Sequence, residues 1–186
     1  KKNYKKSFGI NNNSPIVLYA SKLTKRKNIL DLIQSAIILK EQKVNFNLLI
    51  IGSGELENEI QELVIKHKLE NIIMLGFVNQ SKMPIIFGIS DIFVLTSDNE
   101  PWGLVVNEAM CAKLPIILAK NIGCSYDLLR NDQNGFLINS KQPDILSKKL
   151  KYLIQYKNKR IEMGEKSYEI IMNWSYKEVL LGLKKV

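Results

Sequence analysis

Apolar residues along this chain fall into short continuous runs, separated by stretches in which they recur every three or four positions. Ile16 to Ala20, Phe46 to Ile51, Asn71 to Leu75, Ile92 to Thr96, Pro115 to Ala119 and Gly135 to Ile138 read as strands. Runs this short, with little polar alternation, suit strands covered on both faces. Helical spacing fills the intervals. Asn28 is placed to cap a helix reaching about Gln42, in which Ile29, Ile33, Ala36 and Ile37 share one face. Glu55 to Lys68 turns Leu56, Ile60, Leu63 and Val64 inward. Further helices are predicted over Lys82 to Ile89, from near Trp102 to about Lys113, and over Pro143 to Tyr156, Lys159 to Met172 and Ser175 to Lys185. This alternation predicts an α/β fold, a parallel sheet of about six strands with helices on both faces. Residues 1–14, rich in Lys and Asn, read as a linker or terminus, residues 15–172 as the domain and residues 173–186 as a C-terminal helix. Ligands on such sheets bind outside the carboxyl ends of the strands.

One of those ends carries an unusual segment. Ser97-Asp98-Asn99-Glu100-Pro101-Trp102-Gly103-Leu104-Val105-Val106-Asn107-Glu108-Ala109-Met110 leads from a strand through a turn into a helix that starts beside an acid. Pro101 suits the first helical position, where its missing N–H costs nothing, and Gly103 lets a ligand approach the backbone. The N–H groups of a first helical turn form an anion site. With a helix starting near Trp102, Glu100 precedes it and Glu108 lies on the second turn, roughly 8–9 Å further along at about 1.5 Å per residue. Carboxylates repel phosphate, so acids flanking an anion cradle are suited to accept hydrogen bonds from hydroxyls. A ligand with hydroxyls at both ends and phosphates between them is a nucleotide sugar.

The arrangement resembles the Glu-x7-Glu motif of the retaining glycosyltransferases of the group 1 family, whose GT-B fold pairs two Rossmann-like domains. The resemblance runs from Pro15 to about Tyr176 and covers the C-terminal, donor-binding half of such an enzyme. It implies that Glu100 touches the donor sugar, that the backbone beyond it, through Trp102 to Gly103 and Leu104, holds the pyrophosphate, and that Glu108 bonds the ribose. In Leu18-Tyr19-Ala20-Ser21-Lys22-Leu23-Thr24-Lys25-Arg26-Lys27-Asn28, Lys22 and Lys27 fall where the family places an arginine and a lysine that neutralise the pyrophosphate. The chain departs from the usual Gly-Arg-Leu and Lys-Gly at Ser21, Lys22 and Asn28. Lysine is a point charge rather than a bidentate fork, so Lys22 is expected to hold phosphate less rigidly. Glu100, Lys22 and Lys27 are the implied catalytic residues. Gly76-Phe77-Val78 resembles the segment that meets the nucleobase, which adds Phe77 and Val78 to the donor-binding set.

Other segments carry less chemistry. Gly52-Ser53-Gly54-Glu55 lacks the third glycine of a dinucleotide fingerprint and reads as a tight strand-to-helix connection. Lys113 and Cys124 stand where the family usually has glycine, and a positive φ at Lys113 costs a non-glycine residue energy. His67 reads as a surface residue. Cys111 and Cys124 have no histidine cluster nearby, so neither a metal nor a cofactor is implied, and a reduced, cytoplasmic compartment is expected.

With 186 residues, 46% of them hydrophobic, the chain buries one full core and leaves no room for a second domain of similar size. The acceptor, a glycan or lipid-linked molecule, is then expected to be bound through an N-terminal domain outside this chain, and an opening Lys1 rather than Met suits a fragment. No apolar run is long enough to span a membrane, and the Lys-rich start lacks the apolar segment of a signal peptide. The net charge of +9 attracts nucleotides, anionic headgroups or nucleic acid, and allows peripheral contact of the full-length protein with an anionic membrane. Much of it lies at Lys1, Lys2, Lys5, Lys6 and from Lys148 to Arg160, where it reads equally as solvated faces.

Three functions compete at this stage. The preferred one is the donor-binding domain of a retaining sugar transferase. A nucleotide-sugar epimerase built on the same two-domain plan is the second, and it would need different acid–base residues at the sugar. A basic nucleic-acid module ranks last, because no basic-aromatic surface motif is evident.

Overall fold

The computed structural model describes residues 2–10 and 13–174, so the helix expected over Ser175 to Lys185 lies outside the described residues. The strands are β1 (Ile16–Ala20), β2 (Asn47–Ile51), β3 (Ile72–Gly76), β4 (Ile92–Leu95), β5 (Ile116–Ala119) and β6 (Gly135–Ile138). They form one six-stranded sheet in the order β3-β2-β1-β4-β5-β6, and every pairing is parallel. The helices are α1 (Lys2–Ser7), α2 (Ile29–Glu41), α3 (Glu57–Lys66), α4 (Met83–Ile89), α5 (Leu104–Cys111), α6 (Ser125–Leu128), α7 (Pro143–Gln155) and α8 (Lys157–Met172). This is the expected Rossmann-like α/β architecture.

Burial explains the continuous apolar runs. Every residue of β1, β2, β4 and β5 is buried, because helices cover both faces of the sheet. β3, at one edge, is half-buried throughout. The central pair sets the register, with Val17 opposite Ile92 and Leu18 opposite Phe93.

Several local expectations change. Residues 1–14 contain α1, which Gly9 ends with φ 78° while the Ile10 N–H donates to the Lys5 carbonyl at 3.0 Å. Ile10 is buried and Phe8 packs partly against the core, contacts too sparse to show periodicity that tie this segment down. Asn28 occupies the N-cap position of α2 with φ 49°, but its side chain makes no capping bond and is used elsewhere. The one-turn α6 is too short to leave a periodic signal.

Arg160 is only 8% exposed and donates to the Leu153 and Ile154 carbonyls at 2.7 and 3.1 Å, so this charge closes the end of α7 rather than facing water. Lys113 does adopt φ 60° beyond α5. Its amine pairs with Glu165 at 2.8 Å and lies 5.1 Å from the Tyr168 ring centre, contacts that help offset the backbone cost.

Candidate functional site

The strand order reverses between β1 and β4, so the loops leaving their carboxyl ends diverge and open a crevice. The most basic loop of the chain forms one lip, and the loop bearing Glu100 forms the other.

The first lip is held from below. The Ser21 N–H donates to Ile51 O at 3.1 Å and the Leu23 N–H to Ser53 O at 3.0 Å. Gly52 and Gly54 make this approach possible: a Cβ on Gly52 would stand 1.9 Å from the Ser21 oxygen, and one on Gly54 2.4 Å from the Leu23 oxygen. Their role is the tight connection expected. A 3-10 turn over Lys25–Lys27 then brings the chain back toward β4.

Here the two lips are joined. The Tyr19 hydroxyl donates to Lys27 O at 3.1 Å, and Thr96 Oγ1 reaches Lys27 O at 3.1 Å and Asn28 O at 2.9 Å. Burial raises the Tyr19 phenol above its ordinary range, which keeps it a neutral donor. Asn28 Nδ2 donates to Asp98 Oδ1 at 2.6 Å, and the Asp98 N–H to Arg26 O at 2.9 Å. The buried Lys27 amine is thereby delivered to the Glu100 carboxylate as an ion pair. Lys22, on the same lip, is exposed and has no hydrogen bond or ion pair among the described residues.

The second lip is shaped by the loop after β5. The Glu100 N–H donates to Asn121 O at 3.1 Å, the Gly123 N–H to Glu100 O at 2.8 Å, and the Cys124 N–H to Trp102 O at 3.1 Å. These bonds draw residues 100–102 out of helical geometry, so α5 begins at Leu104 and not at the expected Trp102, and Pro101 is not its first residue. Gly103 is the N-cap, buried, with φ 92°, a conformation that favours glycine. Leu104 opens the first turn with 73% of its surface exposed. Trp102 donates from Nε1 to Asn107 Oδ1 at 3.1 Å, and its ring lies 5.7 Å from that of Trp174.

Glu108 is on the second turn of α5, and its Oε1 accepts from Gln80 Nε2 at 2.7 Å. Phe77 and Val78 follow the end of β3, where Gly76 has φ 63°. Phe77 is 83% exposed, and Val78 is half-buried against the core. Glu100, Trp102, Gly103, Leu104 and Glu108 therefore share one loop-and-helix unit, and of the two lysines expected on the other lip Lys27 bonds to it directly through its side chain.

Sequence reasoning did not find Tyr19, Thr96, the Asn28–Asp98 bond, Gln80 or the 121–124 brace. None has a local signature: Thr96 bonds to the carbonyls of Lys27 and Asn28, and Asp98 to Asn28 and Arg26, all far away in the sequence. Among the described residues, no group of three or more His, Cys, Asp or Glu side chains is placed to hold a metal ion. No helix among them is long and apolar enough to cross a membrane.

Comparison with known proteins supplies the family. The family model described as glycosyl transferases group 1 matches residues 1–170. An uncharacterized glycosyltransferase of Methanocaldococcus jannaschii is 29% identical over 149 residues, 78% of this chain and 37% of that protein. The capsular polysaccharide biosynthesis glycosyltransferase CapM of Staphylococcus aureus is 28% identical, over 87% of this chain and 42% of its own. The pneumococcal O-GlcNAc transferase GtfA, solved in complex with UDP and GlcNAc, superposes with a TM-score of 0.81 at 26% identity, covering 91% of this chain and 34% of that one. This chain thus spans less than half the length of each. With its sheet order matching the Rossmann-like half of a GT-B fold and a family match over almost all of its length, the chain belongs to the group 1 glycosyl transferase family.

Proposed function

We propose that this chain is the donor-binding half of a retaining glycosyltransferase, which moves a sugar from a nucleoside diphosphate sugar to an acceptor hydroxyl in glycan or glycolipid assembly. The observation that carries this reading is the meeting of Lys27 and Glu100 at the switch point of the sheet, at the start of a helix whose second turn bears Glu108. The pneumococcal relative's complex with UDP and GlcNAc supports a donor of the same chemical class.

In this reading the diphosphate lies against the first turn of α5, where Leu104 and its neighbours offer N–H groups that have no intrahelical partner. Lys27 and the exposed Lys22 meet the negative charge that develops on the leaving diphosphate, the kind of charge that fixed donors stabilise best. Glu100 accepts hydrogen bonds from the sugar. Glu108 accepts from the ribose hydroxyls, and the backbone at Phe77 and Val78 meets the base. A second, N-terminal domain brings the acceptor and shuts out water, as expected if this chain is under half of the whole enzyme.

Calorimetric titration with UDP, GDP and ADP and their sugar conjugates tests the assignment. Glu108→Gln is expected to weaken nucleotide and nucleotide sugar alike, by roughly 1.5–3 kcal/mol for a hydrogen bond to a charged acceptor. Glu100→Gln is expected to retain the bare nucleotide and lose affinity for the sugar-bearing donor. Equal losses of both ligands in both variants would overturn this division of roles.

A further inference from the structure

Resting on that reading of Glu108, the structure assigns a role to a residue outside the motif: we propose that Gln80 is a positioning residue for the ribose-binding carboxylate and so part of how this chain selects ribonucleotides. Glu108 sits partly exposed on a helix surface, where a long acidic side chain would otherwise sample several rotamers. Gln80 Nε2 donates to its Oε1 at 2.7 Å, a charge-assisted hydrogen bond that fixes one oxygen. Oε2 is then free to accept from a ribose hydroxyl, and Oε1 retains a second lone pair for the adjacent hydroxyl.

Gln80 is itself held in place. It begins a 3-10 turn over Gln80–Lys82, capped by Asn79, whose Oδ1 accepts from the Ser81 N–H at 3.0 Å and from the Ser81 hydroxyl at 2.9 Å. The turn runs directly into α4, where Met83 and Phe87 are buried in the core. On its other side it continues the Phe77-Val78 segment. One short stretch therefore carries both the nucleobase segment and the amide that orients the ribose acid. A base seated at Phe77 and Val78 and a ribose held by Glu108 on α5 are then linked to each other through Gln80.

The test compares ribose with its dehydroxylated form, so that effects on phosphate and base cancel. UDP, GDP and ADP, each with its 2′,3′-dideoxy counterpart, are titrated into the full chain, the Gln80→Ala and Gln80→Lys variants and Glu108→Gln. The wild type is expected to favour the tightest ribonucleotide over its dideoxy form by about tenfold or more, the range of a hydrogen bond to a charged acceptor. Gln80→Ala should reduce that preference several-fold without changing dideoxynucleotide affinity, and Gln80→Lys, which restores a donor, should recover it. Combining Gln80→Ala with Glu108→Gln should cost no more than Glu108→Gln alone. A preference unchanged in Gln80→Ala, or a loss shared equally by ribo- and dideoxynucleotides, would overturn the role of Gln80 while leaving Glu108 in place. Failure of the reading beneath it is separately visible: Glu108→Gln would keep the full ribose preference, or no nucleotide would bind the wild type, and either result overturns both.

Discussion

Lys27 and Glu100 form an ion pair between residues 73 positions apart in sequence, with only 9% and 19% of their side-chain surfaces exposed. Removing one partner leaves the other withdrawn from water and unpaired. Lys27→Met is therefore expected to destabilise the fold by about 1–3 kcal/mol, the cost of an unsatisfied buried polar group. The Lys27→Met/Glu100→Gln double variant should be more stable than the sum of the single losses implies, with a coupling of about 0.5–3 kcal/mol. Urea denaturation of all four proteins measures this, and strict additivity would show that the pair contributes nothing to stability.

Trp102 and Trp174 are the two tryptophans of the chain, and their rings lie 5.7 Å apart at the loop proposed to hold the diphosphate. Nucleotide binding is expected to change tryptophan emission in proportion to occupancy. Trp174→Phe should keep the response, since Trp102 stands between Glu100 and Gly103. An emission spectrum indifferent to a nucleotide that calorimetry shows to be bound would place the ligand away from this loop.

Gly123 lies under the Glu100 loop, and a Cβ there would fall 1.9 Å from the Pro101 carbonyl oxygen. Gly123→Ala must push that loop outward and break the bond from the Gly123 N–H to Glu100 O. The expected cost is about 1–3 kcal/mol of stability, as for other overpacked positions, together with weakened nucleotide binding. Thermal unfolding and titration of the variant test this, and a change neutral in both would show that the 121–124 brace does not shape the site.

The two cysteines should react differently. Cys111 is exposed, and partial burial with Glu108 nearby raises its thiol above the ordinary value. Cys124 is fully enclosed, and burial pushes its thiol up to about 12. Because the thiolate is the nucleophile, alkylation of the folded protein should modify Cys111 alone, at a rate that keeps rising as pH passes the ordinary thiol range. Mass spectrometry of tryptic peptides reads the sites, and modification of Cys124 before unfolding would contradict its enclosure.

Strands buried on both faces left a readable trace, because a parallel sheet covered by helices demands uninterrupted apolar runs such as Leu48 to Ile51 and Ile116 to Ala119. Helix ends were less legible. Asn28 has the right chemistry for an N-cap, yet its amide is used by Asp98, and Pro101 has the right chemistry for a first helical residue, yet its neighbours are bound to residues 121–124. In both cases a long-range hydrogen bond overrode a local preference that was sound in isolation.

The sequence by itself determined the alternation of elements, and with it a Rossmann-like parallel sheet whose loops carry Lys22, Lys27, Glu100 and Glu108 at strand ends, since periodicity and residue chemistry are local properties. Only the tertiary structure decided which of these charges meet. Strand order places β1 beside β4, so Lys27 reaches Glu100 while Lys22 remains without a bonded partner among the described residues. The turn after β3 likewise brings Gln80 to Glu108. Such pairings depend on how the strands are ordered in the sheet, and no spacing along the chain encodes that order.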